Sequence, residues 1–113
     1  MGGYGCTPGY WKQDQHLDSW VGYAPGDDYE TVFGIDASFS KTLLMTLGQG
    51  GGGEKALGRH AVAALLNAAN PDVSFAYTEA EVIAAVQGAY ATGDFNGVKN
   101  QLEYQNELGC PLN

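Results

Sequence analysis

Two histidines, His16 and His60, are the residues of this 113-residue chain best suited to bind a metal or move a proton. His60 lies beside Arg59 on a predicted long helix, with Asn67 two turns later on the same face, while Asp14 and Asp18 flank His16 as carboxylate co-ligands. The acidic stretch Asp27-Asp28-Tyr29-Glu30, with Asp36 downstream, offers oxygen ligands to a hard cation such as calcium. A metal set therefore consists of His16, His60, Asp27 and Asp28. Spacing weighs against it, because HExxH, CxxC and paired-histidine patterns are absent and the acidic stretch lacks the alternating ligands, central Gly and closing Glu of an EF-hand. The preferred reading makes the histidines packing residues and the acidic stretch a solvated loop. No cofactor is expected, a divalent metal being the one alternative to test.

Aromatics form the second group. Tyr4, Tyr10, Trp11, Trp20, Tyr23 and Tyr29 crowd the N-terminal arm, interleaved with acidic residues. Such rings in a turn-rich setting stack on sugar faces or fill protein interfaces. Tyr10, Trp11, Trp20 and Tyr23 are the candidate ligand contacts; the competing reading has both tryptophans anchoring the arm to the helices. The glycine run Gly50–Gly53 precedes a helix but is not GxxxxGK[ST], and Glu54 at the helix start repels anions. With no GxSxG elbow and no Ser-His-Asp order, enzyme chemistry has thin support.

Cys6 and Cys110 sit at the two ends of the chain, in turn-rich flanks free to approach each other. A disulfide between them closes a long loop worth on the order of 4 to 5 kcal/mol, and it implies an oxidising compartment. The alternative is a pair of buried free thiols. The start Met1-Gly2-Gly3 has neither a basic nor an apolar signal region, so either the protein is cytosolic or a signal has been removed.

The elements that must position these groups read as helices. Thr7-Pro8 opens a short helix to about Gln13, and Gly22–Asp28 is a loop. Ser38 or Ser40 caps a short helix carrying Leu43, Leu44 and Leu47, ended by Gly48. From Glu54 to Asn70 runs a helix whose centre, Ala61–Leu66, is apolar all round and therefore central to the core. Thr78 and Glu81 form a capping box for a helix to about Tyr90. Asp94 caps a last helix with Phe95, Val98, Leu102 and Leu108 at helical spacing, closed by Gly109. Thr31–Ile35 and Val73–Tyr77 read as short strands that can pair as a ribbon. The fold class is mainly α: a small helical bundle with an irregular aromatic-rich N-terminal arm and disulfide-joined termini, in one domain spanning 1–113.

Charge narrows the partners. Five Lys and Arg against thirteen Asp and Glu give a net charge of −8, the wrong sign for nucleic acid or an anionic lipid surface. The apolar run Ala61–Leu66 is far short of the roughly twenty residues a membrane span needs.

Gly5-Cys6-Thr7-Pro8-Gly9-Tyr10-Trp11-Lys12, then His16 and Trp20, Arg59–Ala68 and the closing Gly109-Cys110-Pro111-Leu112, resemble an uncharacterised domain of secreted and surface-anchored microbial proteins with a "GCTPGYWK" opening. The likeness covers almost the whole chain. Related openings often place Asn-His directly after the Lys, whereas here Gln13-Asp14-Gln15 intervenes before His16. The resemblance implies an extracellular location, the terminal disulfide, and a module excised from a larger protein behind an added Met1. The leading expectation is a non-catalytic extracellular module for adhesion, glycan binding or cell-surface assembly, with a glycan or cell-surface protein as partner. The alternatives are a small metal-dependent enzyme using His16 and His60 with nearby carboxylates, and a self-assembling structural protein that forms homo-oligomers through its aromatic arm.

Overall fold

A computed structural model describes residues 2–112. The protein is mainly helical, with α1 (Pro8–Trp11), a 3-10 helix (Asp14–Ser19), α2 (Tyr29–Phe33), α3 (Leu43–Gly48), α4 (Glu54–Ala69), α5 (Glu79–Thr92) and α6 (Phe95–Asn106). The apolar centre of α4 makes it the hub: Ala61 to Leu66 are fully buried, and α1, α3, α5 and α6 all pack against this helix. Tyr29 and Phe33 of α2, Leu43 and Leu47 of α3, Val82 and Val86 of α5 and Leu102 of α6 complete the core.

Local chemistry sets most boundaries. The Thr7 hydroxyl accepts from the Tyr10 amide with Pro8 in the first turn, and Thr78 and Glu81 form the expected capping box. Asp94 accepts from the Gly97 amide at the start of α6. Three expectations are corrected. Thr31–Ile35 is not a strand: the Asp28 side chain caps α2, and Gly34 closes it in the left-handed region at φ 67°. Helix chemistry at both ends overrides the β-preference of Thr31 and Val32. Val73–Tyr77 is not a strand either; the Ser74 carbonyl instead accepts from the amides of Gly3 and Tyr4. The cap of α3 is Thr42, not Ser38 or Ser40: Thr42 is extended and its hydroxyl accepts from the Met45 amide, while the Asp27 carbonyl receives the Leu43 amide.

The ends of the chain meet. Cys6 and Cys110 are disulfide-bonded with their Cα atoms 4.5 Å apart, and the Gly5 amide donates to the Gly109 carbonyl at 2.9 Å. Gly109, expected to close α6, serves this bridge at φ 126°, while α6 ends at Asn106 with Glu107 as its cap. Leu108 falls outside the helix and is exposed. Glycine is required at position 5, where a Cβ would lie 2.1 Å from the Gln105 carbonyl oxygen. No helix among the described residues is long and apolar enough to cross a membrane.

Candidate functional site

The seam where the ends meet is held by buried amides. Asn67, on the face of α4 that receives the arm, clamps Cys6 from both sides: its Oδ1 accepts the Cys6 amide at 2.9 Å, and its Nδ2 donates to the Cys6 carbonyl at 2.9 Å. The same Oδ1 accepts the Trp11 indole N–H at 3.1 Å. Asn67 Nδ2 also donates to Asn106 Oδ1 at 2.9 Å, and Asn106 Nδ2 reaches both the carbonyl and Nδ1 of His60, at 3.1 and 3.2 Å. Next to this chain, the Trp20 indole donates to the Trp11 carbonyl, and Asn70 Nδ2 to the Ser19 carbonyl. Buried polar groups need partners, and these side chains meet the need while tying the arm to α4 and α6.

The expected ligand contacts divide here. Trp11 is fully buried and Trp20 is 9% exposed, so their faces serve packing rather than a ligand. Tyr10 is also largely buried, stacked on His16 with ring centroids 3.9 Å apart, but it lines an open pocket of about 230 Å3 at the seam with Gly5, Thr7, Asn106, Glu107 and Gly109. Tyr23 is half-buried and donates to Glu79; burial and that carboxylate push its hydroxyl pKa up to about 12. The exposed rings are Tyr4 and Tyr104, neither of which was singled out as a contact.

The expected metal set does not converge. His16 packs on Tyr10, Asp27 accepts from the Ala24 amide, Asp28 caps α2, and His60 belongs to the amide chain. Among the described residues, no group of three or more His, Cys, Asp and Glu stands close enough to hold an ion. His60 is 7% exposed, with Nε2 3.6 Å from Glu103, whose carboxylate also pairs with Lys99 at 2.9 Å. Burial holds the imidazole pKa below the ordinary histidine range against the pull of Glu103, and the charges of Lys99 and Arg59 act in the same direction as burial.

A second polar cluster, at the opposite end of α4, escaped sequence reasoning. Glu54, at the first position of α4, accepts from the Ser38 amide and hydroxyl and from the Tyr90 hydroxyl, which in turn lies 3.3 Å from the hydroxyl of buried Tyr29. Burial works against the Glu54 carboxylate, but the bonds from Ser38 and Tyr90 outweigh it and leave its pKa below the usual range. Burial raises the tyrosine pKa values, that of Tyr29 to about 12. Asn106 also went unnoticed, although its signal was present: it continues the apolar stripe Val98, Leu102 at a spacing of four, a polar residue where the core expects a hydrophobe.

No protein-family model matches the chain, and no curated protein or solved structure matches it.

Proposed function

We propose that this chain is a non-catalytic module, secreted or displayed at a cell surface, that binds glycans through the seam between its joined ends. The observation that carries the reading is the seam itself, a disulfide beside an open pocket walled by Tyr10, Thr7, Asn106 and Glu107. Disulfides persist in oxidising compartments, which favours an extracellular setting. The pocket offers the Thr7 hydroxyl and the exposed Glu107 carboxylate beside the Tyr10 ring, groups that recognise sugar hydroxyls around an apolar ring face. Exposed Tyr4 and Tyr104 supply further stacking surface. The likeness of Gly5–Lys12 to the GCTPGYWK opening supports the same location and a place within a longer surface protein.

A glycan array probed with the biotinylated, non-reduced protein tests this. Retention of a defined glycan class is expected, with Glu107→Gln weakening it about tenfold, the effect of losing one charge-assisted hydrogen bond. An array with no retained glycan overturns the reading.

A further inference from the structure

The amide chain at the seam has a direction that it cannot reverse. At its far end stand the Cys6 N–H, the Cys6 carbonyl and the Trp11 indole N–H, groups that cannot exchange donor for acceptor. They fix Asn67 with Oδ1 toward the two N–H groups and Nδ2 toward the Cys6 carbonyl. Asn67 Nδ2 then requires Oδ1 of Asn106, and this leaves Asn106 Nδ2 facing His60. Both protons of that Nδ2 are committed, one to the His60 carbonyl and one to the ring, so Nδ1 of His60 must be the acceptor. The imidazole is therefore neutral, with its single proton on Nε2, toward Glu103.

A second proton on the ring has only Nδ1 to occupy, where it meets the Asn106 N–H head-on. Flipping Asn106 does not relieve this: its Nδ2 would then face Asn67 Nδ2, and its Oδ1 the His60 carbonyl. Flipping Asn67 as well sets its Nδ2 against the Cys6 and Trp11 donors. The conflict ends only when a bond in the chain breaks. We propose that His60 is a proton-operated latch: protonation at Nδ1 breaks the Asn106–Asn67 chain and frees the N-terminal arm, with the Cys6–Cys110 disulfide, from α4 and α6.

The charged groups around the ring are Glu103 and Lys99 of α6 and Arg59 of α4. Glu103 favours the protonated ring, but Lys99 shares its charge, and burial and Arg59 oppose protonation. With the pKa depressed in the folded state, the unfolded or opened chain binds the proton first. The latch is then closed above the ordinary histidine pKa of about 6.5 and weakens as pH falls below it, the open population rising about tenfold per pH unit until the folded ring itself protonates.

The rate at which a water-soluble phosphine reduces the disulfide, taken relative to an exposed model disulfide at the same pH, reads this opening: Cys6 is fully buried when the arm is docked, and attack on half-buried Cys110, which lines the seam pocket, sets a background that His60→Gln shares. Between about pH 7.5 and about pH 5 this relative rate for the whole protein should rise, by up to about thirtyfold. His60→Gln, with no ring to protonate and an amide oxygen available to Asn106, should abolish the rise. Equal acid acceleration in both proteins overturns the latch. A nuclear magnetic resonance titration of the unaltered protein decides the matter if that variant does not fold. The side-chain amide signals of Asn67 and Asn106 should disappear or shift together with His60 protonation, and their persistence beside a protonated imidazole overturns the proposal.

Discussion

Helix α4 carries a polar cluster at each end, buried at one and partly open to water at the other, and the two are built from opposite materials. Near its C-terminal half, Asn67, Asn106 and His60 form a neutral chain in which the role of every atom is fixed. At its N-terminus, Glu54 is one charged acceptor facing donors from Ser38 and Tyr90, and these two and Tyr29 behind Tyr90 carry hydroxyls that rotate. A carboxylate that loses one donor keeps the others, whereas an amide chain that loses one member leaves both neighbours unpaired in the core. The seam is therefore specific and brittle, and the tyrosine corner tolerant. The brittle cluster holds the arm, whose own helix has only four residues and cannot stand alone.

The comparison is tested most severely at the seam. Replacing Cys6 and Cys110 together by Ser should cost about 4 to 5 kcal/mol in denaturant unfolding, the largest effect expected anywhere in the chain. A loss below about 1 kcal/mol would mean that the amide chain alone secures the arm. Asn67→Ala should follow at about 3 kcal/mol, because it strands the Cys6 amide and carbonyl, the Trp11 indole and Asn106 at once. Trp11 fluorescence should shift to the red in the folded variant. An Asn67→Ala protein as stable as the original would show that water replaces the side chain, and the claim of brittleness would fail.

Much of the scaffold was legible because its signals are local. Thr7-Pro8, the Thr78–Glu81 box, Asp94 and the apolar centre of α4 each act within a few residues, and each stands where its chemistry predicts. The terminal disulfide was legible from position alone. What failed were a segment whose local cap reads equally as an acidic loop and a segment decided from a distance. The β-branched residues of 31–35 suggested a strand because Asp28 was taken for part of an acidic loop rather than a cap. Val73–Tyr77 is bent, with the Phe75 amide turned back to the Val73 carbonyl, and it spends its Ser74 carbonyl on the N-terminal arm. The site was less legible still: Trp11 and Trp20 read as contacts or, by preference, as anchors, and their burial fits the anchors, while Asn67 meets Asn106 across a separation of 39 residues that no spacing rule encodes.

The tyrosine corner should respond more gently. Glu54→Gln should cost about 1 to 2 kcal/mol, since a side-chain carbonyl still accepts from Ser38 or Tyr90 and water reaches the remainder. With the Glu54 pKa below its unfolded value, its contribution is present above the ordinary carboxylate range and is lost as pH falls through the folded value. The unaltered protein should therefore show an acid step in thermal stability that Glu54→Gln diminishes. An undiminished step would place the acid sensitivity at Glu103, whose pKa Lys99 lowers in the same direction.

The smallest effect is the most diagnostic of tolerance. Tyr90→Phe removes one donor to Glu54 and leaves the Tyr29 hydroxyl without its partner, a cost of about 1 kcal/mol. Adding Tyr29→Phe removes the stranded hydroxyl, so the double variant should lose less than the two single losses combined. The same pair carries an alkaline signature. The pKa of Tyr29 is raised to about 12, so its stabilisation is complete below the unfolded value of about 10 and is lost as pH rises toward 12. Unfolding followed between those limits should show a decline that is smaller in the double variant, with the remainder owed to Tyr23, whose pKa is raised equally. Strictly additive losses, together with an unchanged alkaline decline, would make the corner as brittle as the seam and dissolve the distinction between the two ends of α4.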